Sequence, residues 1–297
     1  MFLFLLEQDQ NIHSSCKEFL YVWKGGEFIN WLFLKACCQA HAHNGMQTYY
    51  PPGSRGKRRS LEIAAGTACW SKMMATQFGF FTEQHDILYH PDQDLTQSTY
   101  LNWVLRGISM RLWHFVHLGT ECTTFSLAAS GHYRDAANLF GFAGLKGKKL
   151  AKVKSANIQA RHSWIILKAC KAARIPCSLE NPAGSWLFKL PDGTKMLEDG
   201  WHHILLHYCA YGRPYMKPTI IMTWVDWLDS LEAPCAHGGK RHRSTLRGAV
   251  WSRSLKRWVA RTKTANEYPP RLLDKWCGAI ASRVKLDLQG LRVPVCK

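Results

Sequence analysis

Acidic residues are scarce in this chain of 297 residues. Asp and Glu together number 21 against 39 Lys and Arg, which gives a formal net charge of +18. Two long stretches, residues 136–179 and 233–266, contain no acid at all and nine basic residues each. A charge this large and this clustered predicts a polyanionic partner, and nucleic acid is the simplest one.

Long apolar runs are also missing from the start of the chain. Its first apolar run has six residues and no basic segment before it, which is too short for a signal peptide or a membrane span. We therefore expect no membrane partner and an intracellular protein. The eleven cysteines, an odd number, are accordingly predicted to be reduced thiols. A hydrophobic content of 46% is enough for a sizeable core.

A break in composition divides the chain near residue 59. A cluster of turn-forming residues at 51–54 is followed by a basic run at 55–59. We predict an N-terminal extension over 1–59, partly disordered and ending in this basic linker, and a folded domain over 60–297 with a small basic insert at about 233–263. The basic run predicts a solvated linker first and a nuclear-import or phosphate-contact segment second, so a nuclear location is expected.

Short apolar runs alternate with helical stripes from residue 60 onward. Strands are predicted at 61–65, 80–84, 112–118, 175–179, 203–211 and 219–223, and helices at 70–78, 97–106, 152–172 and from 270. This order predicts an α/β fold with a mostly parallel, Rossmann-like sheet, helices on both faces and a C-terminal antiparallel hairpin. The lysines and glycines of residues 146–154 predict a mobile basic loop.

Two groups of cysteines and histidines resemble incomplete metal sites. The first group comprises Cys37, Cys38, His41 and His43, and the second comprises Cys235, His237 and His242. The first fits no common zinc spacing, and the second lacks an obvious fourth ligand. No metal site is predicted on these grounds.

Three loops that follow predicted strands carry unusual groups. They are the turn at residues 62–67, the loop that holds Cys122, and the sequence Glu-Asn-Pro at 180–182. Because the carboxyl ends of parallel strands meet at one edge of a sheet, these loops are predicted to converge on one crevice. A cysteine behind a buried strand can serve as a nucleophile, although a free cysteine more often only packs.

These residues give the chain, from about 60 to 283, a resemblance to the catalytic core of the DNA cytosine-5 methyltransferases, most of all to compact members without a large target-recognition domain. The family motif of an acid followed by Leu-Phe-Ala-Gly-x-Gly is matched by residues 62–68. The family loop Pro-Pro-Cys-x-x-Phe-Ser is matched by residues 120–126, and Glu-Asn-Val by residues 180–182. The late motif Gln-x-Arg-x-Arg is matched by residues 213–217.

The resemblance implies a role for each matched residue. Cys122 would attack C6 of cytosine, Glu180 would hold the base and donate a proton, and Arg213 or Lys217 would contact the base or a nearby phosphate. The residues that would hold the cofactor S-adenosylmethionine are Glu62, Ala65, Gly66, Thr67, Asp86 and Asp94. DNA would lie against the basic stretches 146–174 and 240–263, with its target base turned out of the duplex.

Three departures from the family pattern bear on activity. Glu121 precedes the cysteine where the family has proline, and an anion there raises the pKa of the thiol. Ala68 replaces a motif glycine, and residues 233–263 leave room for little sequence selectivity. Two hypotheses therefore stay open, a DNA cytosine-5 methyltransferase and a catalytically inactive methyltransferase-fold module that binds nucleic acid.

A third hypothesis is an amino-methyltransferase of the Asn-Pro-Pro-Tyr type. Residues 181–184 read Asn-Pro-Ala-Gly, so they lack the second proline and the aromatic ring that would stack on the base. This interpretation is the weakest of the three.

Overall fold

The computed structural model describes residues 58–129, 131–238, 240–252 and 256–284. The strands are β1 Arg59–Ile63, β2 Phe81–His85, β3 Phe115–Leu118, β4 Cys177–Pro182, β5 His202–His207, β6 Pro218–Thr223, β7 Ala249–Ser252 and β8 Arg257–Ala260. The helices are α1 Cys69–Phe78, α2 Ser98–Ser109, α3 Gly147–Ala172, α4 Pro191–Glu198 and α5 Pro270–Arg283. Short 3₁₀ turns join several of these elements.

The first six strands form one sheet in the order β2-β1-β3-β4-β6-β5, and β7 and β8 form a separate antiparallel pair. Pairing is parallel from β2 through β4, whereas β6 runs antiparallel to both β4 and β5. The reversal brings Thr219 of β6 opposite Pro182 of β4. The predicted fold class, a mostly parallel sheet with a late antiparallel hairpin, is confirmed.

Helices cover both faces of the sheet, each face with its own hydrophobic core. On one face, Tyr100 of α2 and Trp164 of α3 pack with Leu118 of β3. On the other face, Trp70 of α1 and Trp276 of α5 pack with further sheet residues. Sequestering these large aromatic side chains from water is the main force that holds the layers together.

Most element predictions agree with the structure to within a few residues. Gly79 ends α1 with a φ of 67°, as its position at the end of the apolar stripe predicts. The prediction of a mobile loop at residues 146–154 is wrong, because α3 already begins at Gly147. Lysine is a good helix former, and the buried Val153 and Ala156 anchor this turn while the lysines stay exposed.

The two described residues of the basic run 55–59 are anchored to the domain. The Arg58 guanidinium donates hydrogen bonds to the carbonyl oxygens of Ala281 at 2.6 Å and Phe78 at 3.0 Å. Arg59 lies in β1 and pairs with Glu83 at 2.6 Å. The rest of the predicted extension, including the first cysteine and histidine group, lies outside the described residues. Among the described helices, none is long and apolar enough to cross a membrane.

Ala68 stands at the N-cap of α1 with φ 51° and ψ 32°, in the left-handed region. Alanine is strained there because its Cβ crowds the following carbonyl group, whereas glycine is not. Glycine would therefore suit this backbone.

We expect Ala68→Gly to raise the free energy of unfolding by about 1 kcal/mol and the thermal midpoint by about 2–4 °C. Differential scanning calorimetry would measure both. The control is Ala65→Gly, a buried position that is not among the residues with positive φ, where the same change should destabilise the fold. Equal destabilisation by both substitutions would contradict the strain at Ala68.

Candidate active site

The loop after β3 is anchored at its start by hydrogen bonds of Thr120. The buried Thr120 hydroxyl lies 2.7 Å from Ser163 Oγ of α3, and the Thr120 carbonyl accepts a hydrogen bond from Asn181 Nδ2 at 2.8 Å. The Cys122 carbonyl then accepts from the backbone N–H groups of Phe125 and Ser126, which closes a tight turn. The turn presents Cys122 at the carboxyl end of β3 and beside the end of β4.

A buried arginine, Arg134, also holds this loop in place. The sequence does not indicate this role. The Arg134 guanidinium donates to Thr124 Oγ1 at 2.9 Å and to the Leu139 carbonyl at 2.7 Å, and it lies 3.8 Å from the centre of the Phe125 ring. Burial lowers the pKa of Arg134 to about 10, although the nearby Glu121 opposes this shift, so the side chain stays charged at neutral pH. Arg134 thus stiffens the loop that carries Cys122.

Glu180 lies at the end of β4 and is mostly buried. Its Oε1 lies 3.7 Å from the Lys217 ammonium, and its Oε2 accepts a hydrogen bond from the Tyr268 hydroxyl at 3.3 Å. Lys217 also donates to Tyr208 and to the Ala265 carbonyl, each at 3.2 Å. Glu180 Oε1 itself accepts no hydrogen bond from the described residues, which leaves a buried acceptor beside the cysteine loop.

Tyr268 links Glu180 to the centre of the sheet. Its hydroxyl lies 3.1 Å from His117 Nε2, and His117 Nδ1 lies 3.0 Å from Ser178 Oγ. Burial lowers the pKa of His117 to about 3, so the ring is neutral. Because the Tyr268 hydroxyl donates its hydrogen bond to Glu180, it accepts one from His117, so Nε2 carries the ring proton. Neither Tyr268 nor His117 belongs to a motif, so the sequence gives no signal of their role.

The charges around Cys122 decide its reactivity. Burial and then the Glu180 carboxylate raise the pKa of the Cys122 thiol to about 11, Lys217 opposes the shift, and Glu121 adds to it. Cys122, Glu180 and Lys217 thus lie close enough to one another to interact electrostatically. Arg213 is connected to this group through Tyr268, because its guanidinium donates a hydrogen bond to the Tyr268 carbonyl at 3.2 Å.

The turn after β1 is held by the acid after β2. Asp86 accepts hydrogen bonds from the backbone N–H groups of Gly66 at 2.8 Å and Leu88 at 2.9 Å. Gly66 and Thr67 are exposed, and a Cβ placed on Gly66 would meet nothing within 4 Å. A carboxylate with spare lone pairs next to open space could hold the ribose hydroxyl groups of a nucleoside cofactor.

Two of the other predicted cofactor residues are already engaged by the protein. Glu62 Oε2 accepts from the Ser71 N–H of α1 at 3.0 Å, and burial raises the pKa of Glu62 to about 7. Asp94 accepts from the Thr96 backbone and hydroxyl, each at 2.8 Å. Although burial raises the pKa of Asp94, these hydrogen bonds hold it below its usual value. Ala65 is buried and donates its N–H to the His85 carbonyl.

Two basic surfaces accompany the site. In the first, Lys146 at the N-cap of α3 and four lysines in the first half of this helix are exposed, namely Lys148, Lys149, Lys152 and Lys154. In the second, Trp251 of β7 and Trp258 of β8 pair directly across the two strands, with their rings 5.9 Å apart. Both rings are exposed, 50% and 68% respectively, within a stretch that has no acid. Exposed aromatic rings among cations are typical of surfaces that stack on nucleic acid bases.

Comparison with known proteins does not assign this chain to a family. No family model matches the chain, and no curated protein matches it. Among solved structures, the methyltransferase EhMeth of Entamoeba histolytica is similar with 10% sequence identity and a TM-score of 0.32, over 63% of this chain and 57% of that one. The chain thus spans little more than half the length of that protein, and a similarity of this size is too weak to indicate a function.

The electrostatics of Cys122 predict a slow thiol at neutral pH. We expect the rate of Cys122 alkylation by iodoacetamide to rise about tenfold per pH unit up to about pH 10 without a plateau, because the thiolate fraction keeps growing. Glu121→Gln should raise the rate at every pH, since it removes one of the anions that raise the pKa of Cys122. Peptide mass spectrometry would follow the reaction.

The control for Glu121→Gln is Glu198→Gln, which removes an exposed acid of α4 that is not among the groups shifting the pKa of Cys122. It should leave the alkylation rate of Cys122 unchanged. A plateau at or below about pH 8.5, the ordinary range of a free thiol, would contradict the burial of the cysteine loop.

Proposed function

We propose that this chain transfers a methyl group from S-adenosylmethionine to C5 of cytosine in DNA, through a covalent adduct on Cys122. The observation that carries the proposal is the convergence of the Cys122 thiol, the Glu180 carboxylate and the Lys217 ammonium at one edge of the sheet. Cytosine C5 is a poor nucleophile, and a thiolate, an acid and a cation are the groups that can activate it.

Glu180 is suited to recognise the base. Its buried Oε1 lacks a hydrogen-bond donor and can accept one from the exocyclic amine of cytosine. The same carboxyl group, when protonated, can donate to N3 and so stabilise the charge that develops on the ring. Lys217 is close enough to Glu180 to contact the O2 oxygen of a base held there.

The reaction starts when the Cys122 thiolate forms a bond to C6 and the C5–C6 electron pair moves toward C5. C5 would then form a bond to the methyl carbon of S-adenosylmethionine as the bond from that carbon to the sulfonium sulfur breaks, and S-adenosylhomocysteine would leave. Loss of the C5 proton to solvent water or hydroxide would then restore the C5–C6 double bond and expel Cys122 as a thiolate. Covalent attack thus replaces one difficult step by two easier ones.

The proton of the thiol is the main obstacle. With a pKa of about 11, Cys122 is almost wholly protonated at neutral pH in the free protein. When the base occupies Glu180 and hydrogen-bonds its carboxylate, the repulsion between Glu180 and a Cys122 thiolate falls, while the attraction of Lys217 remains. Substrate binding would in this way favour formation of the nucleophile.

The cofactor would lie over the turn after β1. Asp86 would accept hydrogen bonds from the ribose hydroxyl groups, and the open space beside Gly66 leaves room for the nucleoside. Ala65 and Thr67 would contribute backbone groups. Glu62 and Asp94 would act indirectly, since Glu62 accepts a hydrogen bond from α1 and Asp94 holds Thr96 before α2. This arrangement at the carboxyl ends of β1 and β2 follows the general rule for ligand sites in open α/β sheets.

DNA would reach the site across the lysines of α3 and the basic insert. Phosphate contacts by these exposed cations give affinity without sequence information, which suits a chain with a small insert. The target cytosine must leave the duplex to meet Cys122. A DNA substrate also agrees with the expected nuclear location.

A second function is favoured by one specific observation. Glu121 stands directly before Cys122 and adds to its raised pKa, so the thiol is poorly suited to attack. A chain that binds nucleic acid on a methyltransferase fold without methylating it would tolerate this residue. The two functions differ in whether a covalent adduct forms.

The proposal predicts a trapped covalent complex. Incubation with labelled S-adenosylmethionine and DNA that contains 5-fluorocytosine should give a complex that survives denaturation, because fluorine at C5 blocks the final elimination. Cys122→Ser should abolish it, and Glu180→Gln should reduce its yield at least about tenfold, since it removes the acid that stabilises ring charge. The control Cys277→Ala, which changes a buried cysteine of α5, should retain it.

Absence of the adduct in the wild-type protein, together with salt-sensitive DNA binding, would reject methylation and support the inactive module. An adduct that persists in Cys122→Ser would place the nucleophile elsewhere.

The exposed tryptophan pair predicts a contribution to DNA binding. Replacing Trp251 and Trp258 together by alanine should weaken binding to a duplex with one unpaired cytosine by about tenfold or more, because stacking on a base is worth about 1–3 kcal/mol. Fluorescence anisotropy at several salt concentrations would measure this. The control Leu197→Ala changes an exposed apolar side chain of α4 and should have no effect; equal losses in both variants would argue against stacking.

A further inference from the structure

We infer that Cys209, Cys235, His237 and His242 form a structural zinc site. Their ligand atoms, two sulfurs and two ring nitrogens, all lie within 4.8 Å of one another. Two thiolates and two imidazoles in this arrangement are a ligand set that zinc prefers. The inference stands apart from the proposed methyl transfer and does not require it.

The distances suit a tetrahedral ion. Cys235 Sγ lies 3.3 Å from His237 Nδ1 and 3.3 Å from His242 Nε2. With zinc bonds of about 2.3 Å to sulfur and about 2.0–2.1 Å to nitrogen, the edges of a tetrahedral site are about 3.3–3.8 Å long. Small movements of the side chains would therefore admit the ion.

The fold brings Cys209 to the other three residues. After β6, the chain runs back alongside the edge strand β5. Leu206 of β5 pairs with Ala233 in parallel, and the His207 N–H donates to the Ala233 carbonyl at 2.9 Å. This pairing carries Cys235 alongside the 3₁₀ turn that follows β5, and the turn holds Cys209. The fourth ligand missing from the sequence pattern is thus supplied from a distant segment.

Cys235 lies at the centre of this cluster. Its Sγ faces two imidazole nitrogens and also interacts with the Cys209 thiol. The group contains no Asp or Glu, so a zinc ion bound to two thiolates and two neutral imidazoles would form a neutral site. One ion would satisfy all four side chains at once.

Four protein ligands leave no open position for water or substrate, so the site would be structural. Its role would be to fasten the start of the basic insert to the loop between β5 and β6. The Ser244 N–H donates to the Pro214 carbonyl at 3.0 Å, and Arg213, His237 and Arg243 line one cleft. The metal would therefore fix the insert next to the loop that carries Arg213 and Lys217.

Metal analysis of the full chain tests the inference. After expression with zinc and exhaustive dialysis, inductively coupled plasma mass spectrometry should find about one zinc ion bound by these four residues in the wild-type protein. Cys209→Ser, Cys235→Ser and His242→Ala should each lose about one zinc ion relative to the wild type. The exchange Cys235→His, which keeps a zinc ligand, should retain it.

Matched controls separate this site from other cysteines and histidines. Cys69→Ser changes a partly buried cysteine outside the cluster, and His132→Ala changes an exposed histidine. Neither should alter the zinc content. The double variant Cys37→Ser/Cys38→Ser tests whether the N-terminal group contributes zinc of its own, and it should leave the ion at the proposed site in place.

Cobalt(II) gives a readout that does not depend on how well a variant folds. Cobalt added to the wild-type protein after zinc removal should produce the visible absorption bands of a tetrahedral site and a sulfur-to-metal charge-transfer band. Zinc should then displace the cobalt and abolish both bands.

Three results would overturn the inference. One is a wild-type protein that binds neither zinc nor cobalt in tetrahedral form. Another is zinc that remains at the wild-type level in both Cys209→Ser and Cys235→Ser. The third is a disulfide between Cys209 and Cys235 in freshly purified protein, shown by peptide mapping under non-reducing conditions.

Discussion

The ion pair between Glu180 and Lys217 is the interaction on which the candidate site depends. Both groups are mostly buried, with 12% and 19% of their side chains exposed, and a buried charge is costly unless it is paired. The pair exists because β6 runs antiparallel to β4, which places the start of one strand beside the end of the other. Tyr268 hydrogen-bonds Glu180, and Tyr208 hydrogen-bonds Lys217.

The same pair sets the chemistry of Cys122. Glu180 raises the pKa of the thiol and Lys217 lowers it, so the reactivity of the cysteine follows the state of its neighbours. A ligand that occupies Glu180 changes this balance, and an empty site keeps the thiol protonated. Arg134 adds rigidity, because it braces the cysteine loop through Thr124 while its own charge is compensated in part by Glu121.

Much of this arrangement follows from sequence, and the reason is local. A buried apolar run followed by polar residues marks the carboxyl end of a strand, which is why Cys122 and Glu180 could be predicted to lie near each other. Tyr268 and Cys209 could not be found, since each meets its partners only through folding of distant segments. The start of α3 was mispredicted because glycines among lysines suggest a loop, whereas the buried side chains further along the helix decide its conformation. The burial of Arg134 could not be predicted, because none of its neighbours in the sequence indicates it.

Identification of the methylated base would decide whether the chain is a cytosine-5 methyltransferase. Double-stranded DNA is incubated with the full chain and S-adenosylmethionine carrying a heavy methyl group, then digested to nucleosides for mass spectrometry. We expect labelled 5-methyldeoxycytidine that disappears in Cys122→Ser. Labelled N4-methyldeoxycytidine or N6-methyldeoxyadenosine, or no labelled nucleoside at all, would contradict it.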